Sequence, residues 1–236
     1  PDFVQVPVKG LIDPAYLKAR GALIRIDATL PEALPGKPGG TGNWRYAPAA
    51  EVPSTTHFVA VDGNGGIASM TSTIEGAFGS ALMASGMHLN NELTDFSFLP
   101  QRNGLPVANR VEPGKRPRSS MSPTIVYGPD GKVAMALGSA GGPRIIMHVL
   151  KTLVGVIDWG LPIDQAIALP NIFYRGNALL VERGTPLDAM RDRLTALGHV
   201  VVVADLPSKV NAIEHGAQGG WRGAADPRSE GVALTE

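Results

Sequence analysis

From His57 the chain alternates apolar and polar positions through HFVAVD, turns through Asp-Gly-Asn-Gly-Gly, and alternates again in IASMTST. Side chains of a strand point to opposite faces in turn, so two alternating runs around a glycine turn predict an antiparallel hairpin of strands 56–61 and 67–73. Thr55 opens the first of them. A second hairpin is predicted over TIVYGPDGKVAMALG, residues 124–138, with Gly128 to Gly131 forming its turn. Gly141-Gly142-Pro143 then leads into an amphipathic run that reaches Asp158, with proline in the first helical turn and Gly160 just past the end. This is the pattern of a strand, a glycine turn and a buried helix.

Farther along, the pattern predicts a short helix over 163–169, a strand over 178–181, a helix over 186–197 stopped by Gly198, and a strand over 200–204 with 210–214 beside it. Ahead of the first hairpin, residues 14–27 (PAYLKARGALIRID) follow a helical rhythm, with Tyr16, Leu17, Leu23, Ile24 and Ile26 as the apolar stripe. Residues 30–54 are rich in Pro, Gly and Ala and read as a long exposed connector. Connectors of this length are uncommon inside compact domains and accompany function or disorder. The chain therefore divides into 1–54, a helix and connector, and 55–236. Two antiparallel hairpins with interspersed helices predict an α+β layered fold, not a doubly wound parallel sheet.

Composition narrows the function classes. The 236 residues are 44% hydrophobic and 18% charged, enough to bury an ordinary core. Lys plus Arg and Asp plus Glu are equal at 21 each, and no basic cluster interleaved with aromatics is present to grip nucleic acid. The longest apolar runs, such as 149–157 interrupted by Lys151 and Thr152, are too short to span a membrane. Without cysteine there are no disulfides, thiolate metal sites or cysteine nucleophile, and the compartment stays open. The chain begins Pro-Asp-Phe-Val instead of Met, which suggests a processed or truncated product whose missing part could have carried a signal peptide.

Candidate chemistry begins at Thr55. A threonine hydroxyl is a poor nucleophile until a base takes its proton, and one solution is the residue's own free α-amine, which titrates near pH 7.7–8.0 in model peptides. That requires the threonine to be first in its chain. Thr55 and Thr56 sit where a flexible connector meets a buried strand, a sensible place for a cut after Ser54 to expose a new N-terminus. By itself, a Ser-Thr-Thr run reads first as a set of strand-opening hydroxyls, and only its context turns it toward a nucleophile. His57 shares a strand face with Thr55, but an N-terminal nucleophile needs no histidine. The five histidines show no metal-ligand spacing, and neither a metal nor a cofactor is expected. The GNGG at 63–66 joins two strands, so it reads as a hairpin turn and not a phosphate loop.

Five ordered blocks, PSTTHFVAVDGNGGIASMTSTIEGAFGS, LNNELTDFS, KRPRSSMSPTIV, GSAGGPRII and GAADPRS, resemble the gamma-glutamyltranspeptidase family in order and spacing. PDFVQVPVKGL at the start resembles the end of that family's large subunit. The resemblance implies an αββα N-terminal-nucleophile hydrolase fold, made as a precursor that cuts itself before the nucleophilic threonine. Carried onto this sequence, Thr55 is the nucleophile and Thr73 the hydroxyl that positions it. Gly141 and Gly142 match the oxyanion-hole pair. Glu92 and Asp95 match positions that face the substrate's α-amino group, as does Glu75, where some members carry Asn. Ser119 and Ser120 match a serine pair that contacts the α-carboxylate.

The segment between Phe96 and Arg118 is shorter than in members with a full lid, and the family's carboxylate-binding arginine belongs to the absent large subunit. Arg116, Arg144 and Arg228 are accordingly read as structural. The resemblance implies a γ-glutamyl small molecule as donor, water or an amino acid as acceptor, the large-subunit part of the same precursor as partner, and a periplasmic or secreted location. Two other readings stand beside it. One is an amidohydrolase of the cephalosporin-acylase type on the same fold. The other is an inert, uncleaved fragment.

Overall fold

The computed structural model describes residues 4–45, 54–216 and 219–235. Positions 46–53 of the expected connector lie outside the described residues. The chain opens with helices α1 (Val8–Leu11) and α2 (Pro14–Gly21). Asp13 caps α2 by accepting from Tyr16 N at 2.8 Å, and Pro14 fills the first helical position, where its missing N–H costs nothing. The helix expected over 14–27 ends at Gly21. A helix this short is held by packing of its apolar face, and here that face has nothing to pack on: Ile24 is 76% and Ile26 98% exposed.

The first hairpin pairs β1 (Thr56–Val61) with β2 (Ile67–Ser72) in the register Thr56↔Ser72 to Val61↔Ile67. Its turn is held by Asp62, whose carboxylate accepts from Asn64 N and Gly66 N, each at 2.8 Å. Two short hairpins follow, β3 (Met83–Ala84) with β4 (Met87–His88) and β5 (Gln101–Arg102) with β6 (Leu105–Pro106). The second predicted hairpin forms as β7 (Thr124–Tyr127) and β8 (Val133–Gly138). The glycine turn leads into α3 (Ile145–Ile157), and α4 (Ile163–Ala168) packs against it. Then come β9 (Ile172–Arg175), β10 (Ala178–Glu182), α5 (Pro186–Ala189), α6 (Arg191–Ala196), β11 (Val200–Ala204), β12 (Asn211–His215) and β13 (Trp221–Ala225). The single helix predicted over 186–197 is thus two, separated at Met190.

Strands β13, β12, β8 and β7 form an antiparallel sheet in that order. The β1–β2 hairpin packs against β8 and β12, while α3 and α4 also pack against this sheet. Met135 and Leu137 of β8 join Ile145, Val149, Ile163 and Ile167 in the main core. The alternate residues of β8 are small. At Gly138 a Cβ would stand 2.3 Å from His57 Cε1, so only glycine admits that ring between hairpin and sheet. A separate sheet, β11-β10-β9, contains one parallel pair, β10 with β11, joined through α5 and α6.

Helix pair, sheet and hairpin are three layers of an αββα sandwich. On the hairpin's outward face the cross-strand pair Phe58 and Met70 is 48% and 49% exposed. Phe78, Met83, Met87 and Phe98 are exposed as well. Arg228 clamps the C-terminal segment. Its guanidinium bonds Glu182 at 2.5 Å and Asp226 at 3.2 Å and donates to the Leu169 carbonyl at 3.0 Å, the structural role expected for it. Among the described residues no helix is long and apolar enough to cross a membrane.

Candidate active site

Continuing the hairpin register by one pair brings Thr55 opposite Thr73, just past the end of β2. Thr55 Oγ1 lies 3.4 Å from Thr73 Oγ1. The Thr73 hydroxyl donates to the carbonyl of Ser54 at 2.5 Å and accepts from Glu75 N at 2.9 Å. One hydroxyl therefore contacts both sides of the Ser54–Thr55 peptide bond, the Ser54 carbonyl and the Thr55 side chain. Glu75 sits at φ 72, a left-handed conformation that a glutamate adopts at a cost, and its bond to Thr73 helps hold it there.

Glu92 and Asp95 lie on a 3-10 turn spanning Glu92–Asp95. Asn91 anchors the neighbourhood, accepting from Gly76 N at 2.7 Å and donating to Thr94 Oγ1 at 3.1 Å. Carboxylate oxygens of Glu75, Glu92 and Asp95 all lie within 4.8 Å of one another, with Glu75 and Asp95 buried. Burial and then the nearby Glu75 charge raise the Glu92 carboxyl above its usual range. Glu92 Oε2 is buried without a hydrogen-bond partner. Carboxylate oxygens gathered this closely are the kind of set that suits an ammonium group or a hard metal ion.

A cavity of about 940 Å³ opens at this point, and Thr73, Glu92 and Ser119 all line it. Thr55, Glu75, Asp95 and Ser120 are not part of the lining; each is a chain, contact or cluster neighbour of a residue that is. Four basic residues that sequence reasoning did not place in the site also line the cavity: Arg45, Lys115, Arg116 and Arg118. Lys115 Nζ is committed to the Ala108 carbonyl at 2.6 Å and Glu112 Oε2 at 3.1 Å, so it braces the wall. The readable signal for Lys115, Arg116 and Arg118 was the run KRPR immediately before the serine pair, on the same loop; Arg45 lies apart from it in sequence.

Gly141 and Gly142 do not line the cavity. They adopt φ 131 and 58, conformations that favour glycine, and lead through a 3-10 turn into α3. Two contacts give their direction. Ser69, paired with Val59, donates its hydroxyl to the Leu137 carbonyl at 3.3 Å, and Gly138 meets the ring of His57. From Leu137 to Gly138, β8 thus advances from the level of Val59 to that of His57, the direction in which Thr55 lies along the hairpin. His57 itself is a packing residue. Its Nδ1 is 2.8 Å from Thr71 Oγ1, its carbonyl accepts from Asn211 Nδ2 at 2.7 Å, and burial lowers its pKa to about 4.

The family model described as Gamma-glutamyltranspeptidase matches residues 1–235. A glutathione hydrolase proenzyme of Escherichia coli K12 is 39% identical over 97% of this chain and 40% of its own length. An acylase ACY 1 proenzyme of Pseudomonas sp. SE83 is 34% identical over 99% of this chain and 39% of its own. The crystal structure of a Helicobacter pylori gamma-glutamyltranspeptidase mutant superposes with a TM-score of 0.66 at 38% identity, covering 74% of this chain and 100% of that one. The chain thus spans about two fifths of the length of the curated relatives it matches. With its αββα layers and these relatives, it has the fold of the N-terminal-nucleophile hydrolases and belongs to the gamma-glutamyltranspeptidase family.

Proposed function

We propose that this chain is the catalytic part of a γ-glutamyl transferase and hydrolase acting on glutathione-like γ-glutamyl amides. The observation that carries the reading is the Thr55–Thr73–Ser54 contact: a hydroxyl beside a peptide carbonyl that already accepts a hydrogen bond. In the precursor, Thr55 Oγ1 attacks the Ser54 carbonyl carbon, and the Thr73 hydroxyl supports the negative charge that develops on the oxygen. The C–N bond breaks to leave an ester, and water releases the Ser54 carboxylate together with the hydroxyl and α-amine of Thr55. That amine then serves as the base that a threonine nucleophile needs.

In turnover the Thr55 hydroxyl attacks the γ-carbonyl of the donor, with the Gly141 and Gly142 N–H groups, on the 3-10 turn that leads into α3, as oxyanion donors. The leaving amine departs with a proton, and water or an amino acid takes the acyl group from Thr55. Glu75, Glu92 and Asp95 receive the donor's α-ammonium. Ser119, with Ser120, contacts the α-carboxylate. The remaining part of the precursor completes the site.

A second reading, glutaryl-amide hydrolysis, is favoured by the similarity to the acylase proenzyme. A γ-glutamyl anilide and a glutaryl anilide separate the two, because only the first carries an amine for the acidic trio. Faster cleavage of the γ-glutamyl anilide by the full gene product is the expected result. Preference for the glutaryl compound would replace the first reading with the second.

A further inference from the structure

Behind the glycine pair lies a polar pair that the chemistry above does not use. Ser139 is fully buried, and His148, in the first half of α3, is 2% exposed. The Ser139 hydroxyl donates to the Ala140 carbonyl at 3.0 Å, and its oxygen is 3.1 Å from His148 Nδ1. A serine hydroxyl has one proton to give. With that proton on the Ala140 carbonyl, its lone pair faces Nδ1 and the histidine is the donor there, in the tautomer that also lets the ring face the Ala140 carbonyl. Burial above all, and then the charges of Lys151 and Arg144, lower the pKa of His148 to about 4, outweighing the Ala140 contact, which raises it, so the ring is neutral near pH 7. The ring also abuts the glycine turn: a Cβ on Gly141 would stand 3.2 Å from His148 Cε1.

The Ala140 carbonyl and the Gly141 N–H are the two ends of one planar peptide group. A hydrogen bond accepted at the oxygen polarises the group and strengthens the N–H as a donor. It also fixes the direction of that plane. Such fixing has value next to a glycine at φ 131, where no side chain restricts rotation.

We propose that His148 and Ser139 are positioning residues whose relay, from Nδ1–H to the serine hydroxyl to the Ala140 carbonyl, aims and polarises the Gly141 amide as an oxyanion donor. This rests on the reading of Gly141 and Gly142 given under the proposed function. Self-cleavage draws on a different donor, because the Ser54 carbonyl already receives its hydrogen bond from Thr73. The relay therefore predicts a split between the two reactions that a general loss of packing would not produce.

The test uses the full gene product carrying Ser139→Ala or His148→Val. Losing an oxyanion donor outright costs about 10²–10³ in rate, so losing its support should lower kcat on a γ-glutamyl anilide about tenfold. KM and the rate of precursor cleavage should stay unchanged. His148→Asn, which keeps an N–H near the place of Nδ1, should restore most of kcat, and the double variant should be no slower than the slower single one. If His148→Val does not fold, Ser139→Ala, which removes one oxygen atom, carries the measurement.

Glycine-selective 15N labelling separates this proposal from the reading beneath it. The Gly141 amide resonance, assigned by its loss in Gly141→Ala, should shift when a boronic-acid analogue of the γ-glutamyl group forms a tetrahedral adduct, and should shift less in Ser139→Ala. No shift in the unsubstituted enzyme would overturn the oxyanion reading and this proposal with it. A full shift retained in Ser139→Ala with unchanged kcat would overturn the relay alone. Parallel losses in cleavage and turnover would overturn it too, by marking the pair as packing residues.

Discussion

Thr73→Val replaces the hydroxyl at the cleavage point with a methyl group of similar shape. In the folded precursor this removes the donor to the Ser54 carbonyl at 2.5 Å and the acceptor for Glu75 N at 2.9 Å. Each ordinary hydrogen bond contributes about 0.5–1.5 kcal/mol to net stability, against a typical total of roughly 5–15 kcal/mol, so the variant should fold. The effect on rate is larger. As Thr55 attacks, charge gathers on the Ser54 oxygen, and loss of a donor to such an oxygen typically costs about 10²–10³, or ~2.7–4 kcal/mol. Newly made precursor followed by gel over time should therefore lose its cleavage almost entirely in Thr73→Val and retain most of it in Thr73→Ser, which keeps the hydroxyl. Cleavage of the valine variant at close to the unsubstituted rate would refute the role given to Thr73. A serine variant as slow as the valine one would show that shape, and not the hydroxyl, matters.

Three further outcomes follow from named contacts. Gly138→Ala places a methyl 2.3 Å from the His57 ring, and overpacking of this kind costs about 1–3 kcal/mol or more, read as a lower urea midpoint. Asp95→Asn should raise KM far more for a γ-glutamyl anilide than for a glutaryl one, since truncating one partner of a buried charge contact costs about 2–5 kcal/mol and the glutaryl donor has no such contact; equal losses would make Asp95 structural. His57 and His148 are both held near pKa 4 by burial, below the ordinary 6.5, so the unfolded chain binds protons first as pH falls. Stability is then full above about pH 6.5 and declines toward pH 4, by up to about 3 kcal/mol for each histidine, and urea midpoints in His148→Asn should fall less over that range.

The parts of the fold that were legible in the sequence are those whose pattern answers to contacts within the chain. Alternation in HFVAVD and IASMTST appears as β1 and β2 because their odd-numbered residues face a sheet made by this same chain. The turn at Gly141-Gly142-Pro143 and the apolar run to Ile157 became α3 because β8 is there to cover it. The helix predicted over 14–27 failed for the converse reason: Leu23, Ile24 and Ile26 have an apolar stripe without a surface to meet it. Strands of two residues, such as β3 to β6, carry no periodicity to read. β13 (WRGAA) has glycine and alanine where a strand would show branched residues, and it forms because β12 offers it an edge. In the site, Thr73 and the acidic residues were read through family resemblance, and the cross-strand register supplies a physical reason for Thr73. The Ser139–His148 pair and the basic wall depend on contacts between segments, which local spacing does not encode.

The uncovered faces also bear on activity. Phe58 and Met70 on the hairpin, and Ile24 and Ile26 after α2, are exposed apolar side chains that the rest of the precursor is proposed to cover, so residues 1–236 alone should self-associate and turn over γ-glutamyl anilide negligibly. Turnover comparable to that of the full gene product would show that the site is complete in these residues.

The central claim is that Thr55 becomes an N-terminal nucleophile. Its most direct test is to treat the active full gene product with an electrophilic γ-glutamyl analogue, then determine the intact mass and N-terminal sequence of the labelled chain. The account predicts a chain beginning Thr55-Thr56-His57 with one label on Thr55. An active enzyme whose labelled chain begins elsewhere, or remains uncut across Ser54–Thr55, would contradict it.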